Sequence, residues 1–410
     1  MGRLTFVVVL CIGGGGWACR DRARAVQSEA ALLDLVHQLE TQAERITGLQ
    51  FKHQVAVRLR TRAQVRDYVT HKFDQDLPPA ELAGAEAAYK LFGLIPDSLN
   101  LRATMIALLT EQIAGYYDPD SGALFIASDQ TDRARVRVVA SHELVHALQD
   151  QYTPLDSLIN QRRHNDRAMA AAAVLEGQAT FYQIPILMPE QHPETLPDHW
   201  FWKQRAVMAQ QQAEMPEFTG APLWLKERVI FPYLSGADFI GWYVRTHHGH
   251  EPYGADMPLS TEQILHTDRY AAGDNPVTLA FATQAPDVVR YEDDLGEFEI
   301  GLLFAQLMGD ANDDKGSVYA LGWGGDRYQV YGPTNGADAL VWYTVWDTPG
   351  ARDRFVRGLI RAWAGRQGVR RGRRSTVEAV TVDGLPGARL VDAPEAWGGW
   401  KALPEVHVVR

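Results

Sequence analysis

The first hundred residues alternate between helical and strand-like spacing of their apolar positions. Between about Ala25 and Ile46, leucines and valines recur three or four positions apart, which predicts an amphipathic helix. The stretch Gln54–Arg60 alternates between polar and apolar residues and predicts a strand. Three more helices are predicted over Arg62–Phe73, from Pro79 to about Leu91, and over Leu101–Ile113.

The central part of the chain is predicted to be largely helical. Tyr116–Ile126 has aromatic and β-branched residues around an Asp-Pro-Asp-Ser-Gly turn, which is typical of a hairpin. Helices are predicted over Arg135–Gln151, Ala168–Tyr182 and Phe239–Arg245. From about Ser317 onward, glycine-rich turns alternate with aromatic strands, interrupted by one predicted helix over Ala351–Trp363. The pattern therefore predicts an α+β fold that is mostly helical and ends in a β-rich region.

Composition narrows the functional classes. Hydrophobic residues make up 46% of the chain, which is ample for a buried core. The formal net charge is -11, so nucleic acid is not expected as a partner, because phosphate binding needs a basic surface.

The N-terminus resembles an export segment. Arg3 precedes a short apolar run and a small-residue end at Ala18-Cys19, which loosely resembles a bacterial lipoprotein processing site. The protein is therefore expected to be exported, either as a membrane-anchored lipoprotein through a lipidated Cys19, as a plainly secreted periplasmic or extracellular protein, or with an uncleaved anchor. Both cysteines, Cys11 and Cys19, lie in this segment. A metal bound by the mature chain must then use histidines and carboxylates.

The chemistry-bearing motif is His142-Glu143-Leu144-Val145-His146, inside a predicted helix. On a helix the two histidines stand one turn apart on one face, so both imidazoles can bind one Zn²⁺ at about 2.0–2.1 Å. Glu143 is offset by one residue, which lets it take a proton from a water activated by the metal. Asp150 lies four residues after His146 and is predicted to hold the free ring N–H of a histidine. The alternative is a buried helix whose histidines bond to ordinary partners.

A catalytic zinc needs a third protein ligand. The best candidate is Glu176, an acidic residue in an apolar, alanine-rich helix, where burial is costly unless the carboxylate is paired or binds a metal. His164, in a polar loop-like stretch, is a weaker candidate. The alternative for Glu176 is an exposed helix carboxylate.

Residues Ser141–Asp150, followed by Glu176-Gly177 on a later helix, resemble the gluzincin group of zinc peptidases, which includes thermolysin-like and aminopeptidase-like enzymes. The resemblance implies one Zn²⁺ per chain, held by His142, His146 and Glu176. It also implies a zincin-like catalytic domain with a small mixed sheet, an edge strand and a helical lobe. The expected organisation is an export segment (1–19), an N-terminal α/β lobe (20–100), a catalytic domain (101–365) and a strand-rich tail (366–410).

The same resemblance assigns roles to residues outside the motif. The edge strand of such enzymes pairs with the substrate backbone, and Ala123–Ala127 stands in that position, so Ala123 and Phe125 are expected to bind substrate. Tyr233, in a segment expected to open the helix at Phe239, is the candidate for stabilising the oxyanion. Thr180 stands where thermolysin-like enzymes have an aspartate, so a weaker contact to the metal ligands is expected there.

Arg327 is a further candidate for substrate binding, because it follows a Gly-Trp-Gly-Gly-Asp segment and can grip a substrate carboxylate; the alternative is a tight turn between strands. The predicted function is zinc-dependent hydrolysis of peptide bonds in a peptide or protein substrate, with Glu143 as the general base. Two alternatives stay open: an inactive, zinc-stabilised binding or assembly lipoprotein on a peptidase scaffold, and a metal-dependent hydrolase of another substrate. The oligomeric state is left open by the sequence.

Overall fold

The computed structural model describes residues 29–409, apart from 131, 154, 156–157, 159–162, 249, 283–287, 310–314, 333–336 and 368–370. The predicted export segment 1–19, with Cys19, lies outside the described residues. Among the helices described, none is both long enough and apolar enough to cross a membrane.

The N-terminal elements are four helices and a small mixed sheet. The helices are α1 (Glu29–Thr47), α2 (Arg62–Asp76), α3 (Pro79–Phe92) and α4 (Leu101–Gln112). The strands are β1 (Ala56–Arg60), β2 (Gly115–Asp118) and β3 (Ala123–Ala127). Their order in the sheet is β1-β3-β2, with β1 parallel and β2 antiparallel to β3. Local chemistry sets the helix ends: Thr61 and Gln64 form a capping box at the start of α2, and Gly93 ends α3 in the left-handed conformation with φ 83°.

The centre of the molecule is built on long, buried helices. They are α5 (Arg133–Tyr152), α6 (Asn165–Leu187) and α10 (Leu223–Thr246). Shorter helices lie between and after them: α7 (Trp200–Lys203), α8 (Arg205–Gln212), α9 (Pro216–Gly220), α11 (Thr261–Leu265) and α12 (Thr267–Ala271). Single 3-10 turns occur at Pro193–Thr195 and Gly254–Asp256.

The C-terminal part contains an antiparallel sheet of five described strands, in the order β5-β6-β7-β9-β8. Its strands are β5 (Val288–Asp293), β6 (Trp323–Gly332), β7 (Ala339–Trp346), β8 (Arg373–Val382) and β9 (Leu385–Pro394). Its helices are α13 (Gly296–Met308), α14 (Lys315–Val318) and α15 (Pro349–Gln367). The strands β4 (Leu279–Phe281) and β10 (Val406–Val408) pair with each other, and a 3-10 turn lies at Gly398–Lys401.

The main core joins these parts. One cluster of buried side chains runs from α2 through α6 and α10 to the five-stranded sheet, and a second fills the space between α1, the small sheet and α5. Helices α6 and α10 approach very closely, because a side chain at Gly236 would place its Cβ 2.0 Å from the carbonyl oxygen of Ala173. Gly177 on α6 has the same constraint, 2.2 Å from the carbonyl carbon of Gly236.

The predicted fold class is confirmed: the protein is α+β, mostly helical, with a small mixed sheet and a β-rich C-terminal region. The five-stranded sheet takes strands from both sides of the predicted boundary between residues 365 and 366. The prediction that a helix opens at Phe239 was wrong. α10 begins sixteen residues earlier, at Leu223, and continues through Pro232.

Candidate metal site

The site begins with α5, which is capped by Asp132 through a hydrogen bond from the backbone N–H of Ala134. This helix packs against α1, α6 and both β2 and β3. Because it is covered on several sides, every residue from Ala140 to Gln149 is buried. His142, Glu143 and His146 are therefore held inside the protein.

His142, His146 and Glu176 converge between α5 and α6. The Nε2 atoms of the two histidines lie 3.1 Å apart, and Glu176 Oε2 lies 3.2 Å from His142 Nε2 and 3.4 Å from His146 Nε2. Three ligand atoms bound tetrahedrally to one zinc ion at about 2.0–2.1 Å stand about 3.3 Å from one another. The observed triangle therefore fits a zinc ion, and it is the one such group found among the described residues.

The surroundings shift the pKa values of His142 and Glu176. Burial lowers the pKa of His142, so its ring is neutral at neutral pH. Burial raises the pKa of Glu176, but charge interactions and hydrogen bonds with His146 and His142 outweigh it and lower the pKa to about 2. Two neutral imidazoles and one carboxylate are the states in which these residue types bind zinc.

Glu143 is fixed through one of its two carboxylate oxygens. Oε2 accepts a hydrogen bond of 2.7 Å from the backbone N–H of Tyr117 in β2. Oε1 is buried and has no hydrogen-bond partner in the part of the chain that the structure describes. Burial raises the pKa of Glu143 well above its usual range, and the nearby charge of Glu176 adds to this effect. The carboxylate is thus positioned, with one oxygen left for a further partner.

The residue that contacts the second histidine differs from the predicted one. Asp150 accepts a hydrogen bond from the Tyr117 hydroxyl at 2.9 Å, whereas His146 Nδ1 lies 2.7 Å from Gln149 Oε1. The described partner of the His146 ring is thus Gln149, and the role expected of Asp150 stays a prediction. Thr180 is buried on α6 one turn after Glu176, where the structure gives it no described bond to either histidine.

Tyr233 lies beside the site. Its ring stacks on that of His142, with the ring centroids 5.8 Å apart. Tyr233 lies on α10 one turn before Gly236, where α10 packs closely against α6. The structure thus brings this predicted residue to the site, although from within a helix and not from the segment before one.

The expected role of β3 in substrate binding was wrong. β3 is the central strand of its sheet, so its backbone groups pair on both sides: Ala123 lies opposite Ala56 and Asp118, and Phe125 opposite Arg58 and Tyr116. Neither residue has a free edge to offer a peptide. β2 is the edge strand next to Glu143, to which it donates through Tyr117.

Arg327 pairs with carboxylates of its own chain and also lines a cavity, so its expected role in substrate binding stays a prediction. It lies within β6, where its guanidinium Nε is 2.7 Å from Glu292 and Nη1 is 3.6 Å from Asp294 and also donates to the carbonyl oxygen of Arg163. Its charge is balanced by these two carboxylates. Asp294 also contacts His164, 3.4 Å away, so His164 belongs to this group and not to the metal triad.

Comparisons with known proteins concern the other end of the chain. A family model described as a domain of unknown function (DUF8575) matches residues 286–396, which span the five-stranded sheet. No curated protein and no solved structure matches the chain. This match therefore lies in the C-terminal part of the chain, outside the metal site.

Proposed function

We propose that the protein hydrolyses peptide bonds with the help of one zinc ion. The observation that carries this proposal is the buried triangle of His142, His146 and Glu176, with sides of 3.1, 3.2 and 3.4 Å. The adjacent Glu143 distinguishes a hydrolase from a purely structural metal site. A structural site needs no carboxylate with a spare oxygen beside its ligands, whereas hydrolysis needs a base there.

In this proposal a zinc ion, when bound, would polarise the carbonyl group of the substrate and lower the pKa of the attacking water. Glu143 accepts the proton of the attacking water at Oε1, the oxygen that Tyr117 leaves unused. It then passes the proton to the amine of the leaving group. Tyr233, stacked on His142, is assigned to the developing oxyanion.

The edge of the small sheet gives this proposal a place for the substrate backbone. β2 is an edge strand, and its residues Gly115 and Tyr117 point their backbone groups away from β3, since Tyr116 and Asp118 form the bonded pairs. The Tyr117 N–H is already taken by Glu143. All four residues of β2 are buried, so an extended peptide pairs with the remaining groups of this edge only after the chain that covers it moves aside.

The decisive experiment compares the wild type with Glu143→Gln. The variant is expected to retain one zinc ion per chain, measured by elemental analysis, and to lose about 10²- to 10⁴-fold in cleavage of a mixed peptide library. Cleavage by the wild type is expected to stop when a chelator removes the metal.

Glu262→Gln is the matched control. Glu262 is also buried, and burial with the nearby charge of Glu297 raises its pKa to about 9, so an amide mimics its neutral form. This control is expected to keep full activity. The proposal would be contradicted if the wild type bound no zinc or if Glu143→Gln kept full activity. Esters and non-peptide amides in the same library identify a different substrate class if only they are cleaved.

A further inference from the structure

Behind His146, a chain of buried amides leads from the metal site to the segment after α10. Gln149 Oε1 faces His146 Nδ1, and Gln149 Nε2 donates to the carbonyl oxygen of Leu175 at 3.0 Å and to Gln178 Oε1 at 2.7 Å. Gln178 in turn accepts from the hydroxyl of Tyr253 and donates to Glu251. Gln149 and Gln178 are both buried.

The orientation of the Gln149 amide follows from its partners. A backbone carbonyl can only accept a hydrogen bond, so the NH₂ group of Gln149 must face Leu175. Its oxygen is then turned to His146, and because an amide oxygen can only accept, the ring must carry its proton on Nδ1. In the neutral ring the other nitrogen, Nε2, then keeps its lone pair, and Nε2 is the atom that faces His142 and Glu176.

The same residue joins the two helices that carry the ligands. Gln149 lies on α5, one turn after His146, and its partner Leu175 immediately precedes Glu176 on α6. Gln178 fixes the second hydrogen of the NH₂ group, and it is itself held by Glu251 and Tyr253. The amide therefore cannot turn over without breaking bonds on both helices.

We infer that Gln149 is the positioning residue of the metal site: it sets the tautomer of His146 and fixes the distance between the helix of the histidines and that of Glu176. The inference rests on the proposed function for its metal, but not for the tautomer, because the contact between Gln149 and the His146 ring involves protein atoms alone. Such partners of metal-binding histidines typically change metal affinity 10- to 100-fold when they are removed.

Three variants separate positioning from general stability. Gln149→Leu keeps the volume and removes the acceptor; Gln149→Glu restores an acceptor for the ring but not the donor to Leu175. Gln183→Leu is the matched control, because Gln183 on α6 makes the same kind of bond to α5, from Nε2 to the carbonyl oxygen of Val138 at 2.5 Å, without touching a histidine.

The first readout is the ring tautomer of His146 in the metal-free protein, measured by nitrogen-15 NMR at mildly alkaline pH. The wild type, Gln149→Glu and Gln183→Leu are expected to show the proton on Nδ1, and Gln149→Leu a shift toward Nε2. The second readout is zinc affinity by competition with a chelator. Gln149→Leu is expected to weaken it about 10- to 100-fold, Gln149→Glu less, and Gln183→Leu less than about threefold.

Unchanged tautomer and zinc affinity in Gln149→Leu would overturn the inference, as would an equal loss of affinity in Gln183→Leu. If Gln149→Leu does not fold, Gln149→Glu decides, since a positioning role predicts that it keeps the tautomer and loses part of the affinity. A wild type that binds no zinc would overturn the proposed function, while the tautomer measurement would still test the role of Gln149.

Discussion

Both the helical centre and the five-stranded sheet bury carboxylates, but they use them differently. In the sheet, Asp326 accepts four hydrogen bonds, from the backbone N–H groups of Leu295 and Gly296 and from the indoles of Trp323 and Trp342. In the helical centre, Glu143 leaves one buried oxygen without a described partner, and Glu176 shares its oxygen with two histidines. The two regions thus differ in how fully a buried carboxylate is hydrogen-bonded: Asp326 is surrounded by four donors, whereas Glu143 Oε1 has no described donor.

The largest loss of stability is expected at Asp326. Asp326→Ala leaves four buried donors without their acceptor, and at about 1 kcal/mol for each bond it is expected to lower the free energy of unfolding by roughly 4 kcal/mol or more. Chemical denaturation measures this loss. Asp347→Ala, at a partly exposed carboxylate paired with Arg269, is the control and is expected to lose under about 1 kcal/mol. Similar losses in both variants would show that Asp326 is not a structural centre.

Glu176→Ala tests the carboxylates of the helical centre, the other region compared. It removes one of three metal ligands, so zinc affinity is expected to fall at least about 100-fold, or roughly 2.7 kcal/mol. The free energy of unfolding of the metal-free protein is expected to change by only about 1 to 2 kcal/mol, because among the described residues the Glu176 side chain bonds to the two histidines and to no backbone group. Competition with a chelator and denaturation of the metal-free protein check both statements. Undiminished zinc affinity would exclude Glu176 as a ligand.

The sequence predicts the chemistry of the site because that chemistry depends on local spacing. Two histidines four positions apart must share a helix face, and a lone glutamate in an alanine-rich helix needs a polar partner wherever that helix packs. His142, His146 and Glu176 indeed converge. The α+β fold class follows in the same way from the periodicity of single segments.

Features that depend on long-range pairing were beyond the sequence. β3 looks like an edge strand until Ala56, sixty-seven residues earlier, pairs with Ala123 in parallel. Arg327 looks free until Glu292 and Asp294 from β5 and its following residue meet it. Gln149 could not be predicted from the sequence for a more local reason. Residues three and four positions after His146 both lie near its ring on a helix. Only the packing of Gln149 against Leu175 shows which of the two faces the ring.

A smaller loss of stability is expected from a substitution where α6 and α10 cross. Gly236→Ala places a Cβ 2.0 Å from the carbonyl oxygen of Ala173, so the helices must separate, at a cost of about 2 to 3 kcal/mol. Activity is expected to fall as well, because Tyr233 moves away from His142. Gly241→Ala on the same helix is the control, since its Cβ meets nothing nearer than 3.4 Å and helix propensity favours alanine. Equal thermal stability of the two variants would contradict the close approach.

The smallest expected effect is a pH dependence of stability, caused by the buried carboxyl group of Glu251. Burial raises the pKa of Glu251 from 4.5 to about 6, against the opposing hydrogen bonds from Tyr182 and Gln178. Between these values the folded protein holds a proton that the unfolded chain has released. The free energy of unfolding therefore falls as pH rises through this window, by about 1 to 2 kcal/mol after allowance for partial exposure.

Denaturation of the wild type and of Glu251→Gln at several pH values isolates this contribution, because other titrating groups are common to both proteins. Relative to the variant, the wild type is expected to lose stability from about pH 4.5 to pH 6 and to change little above it. Parallel curves across this window would show that Glu251 titrates as an ordinary surface carboxyl.

The parallel pairing of β1 with β3 has a consequence for how the molecule assembles. Joining Ala56 to Ala123 closes a long loop of chain that contains α2, α3 and α4. The entropy of that closure is a cost of folding, and the packing of α1 and α5 against the sheet helps to offset it. During synthesis, β1 therefore cannot form its pairing until β3, the strand that precedes the histidines, has been made. We expect β1 and β3 to become protected from amide hydrogen exchange together, because their protection comes from the pairing of the two strands.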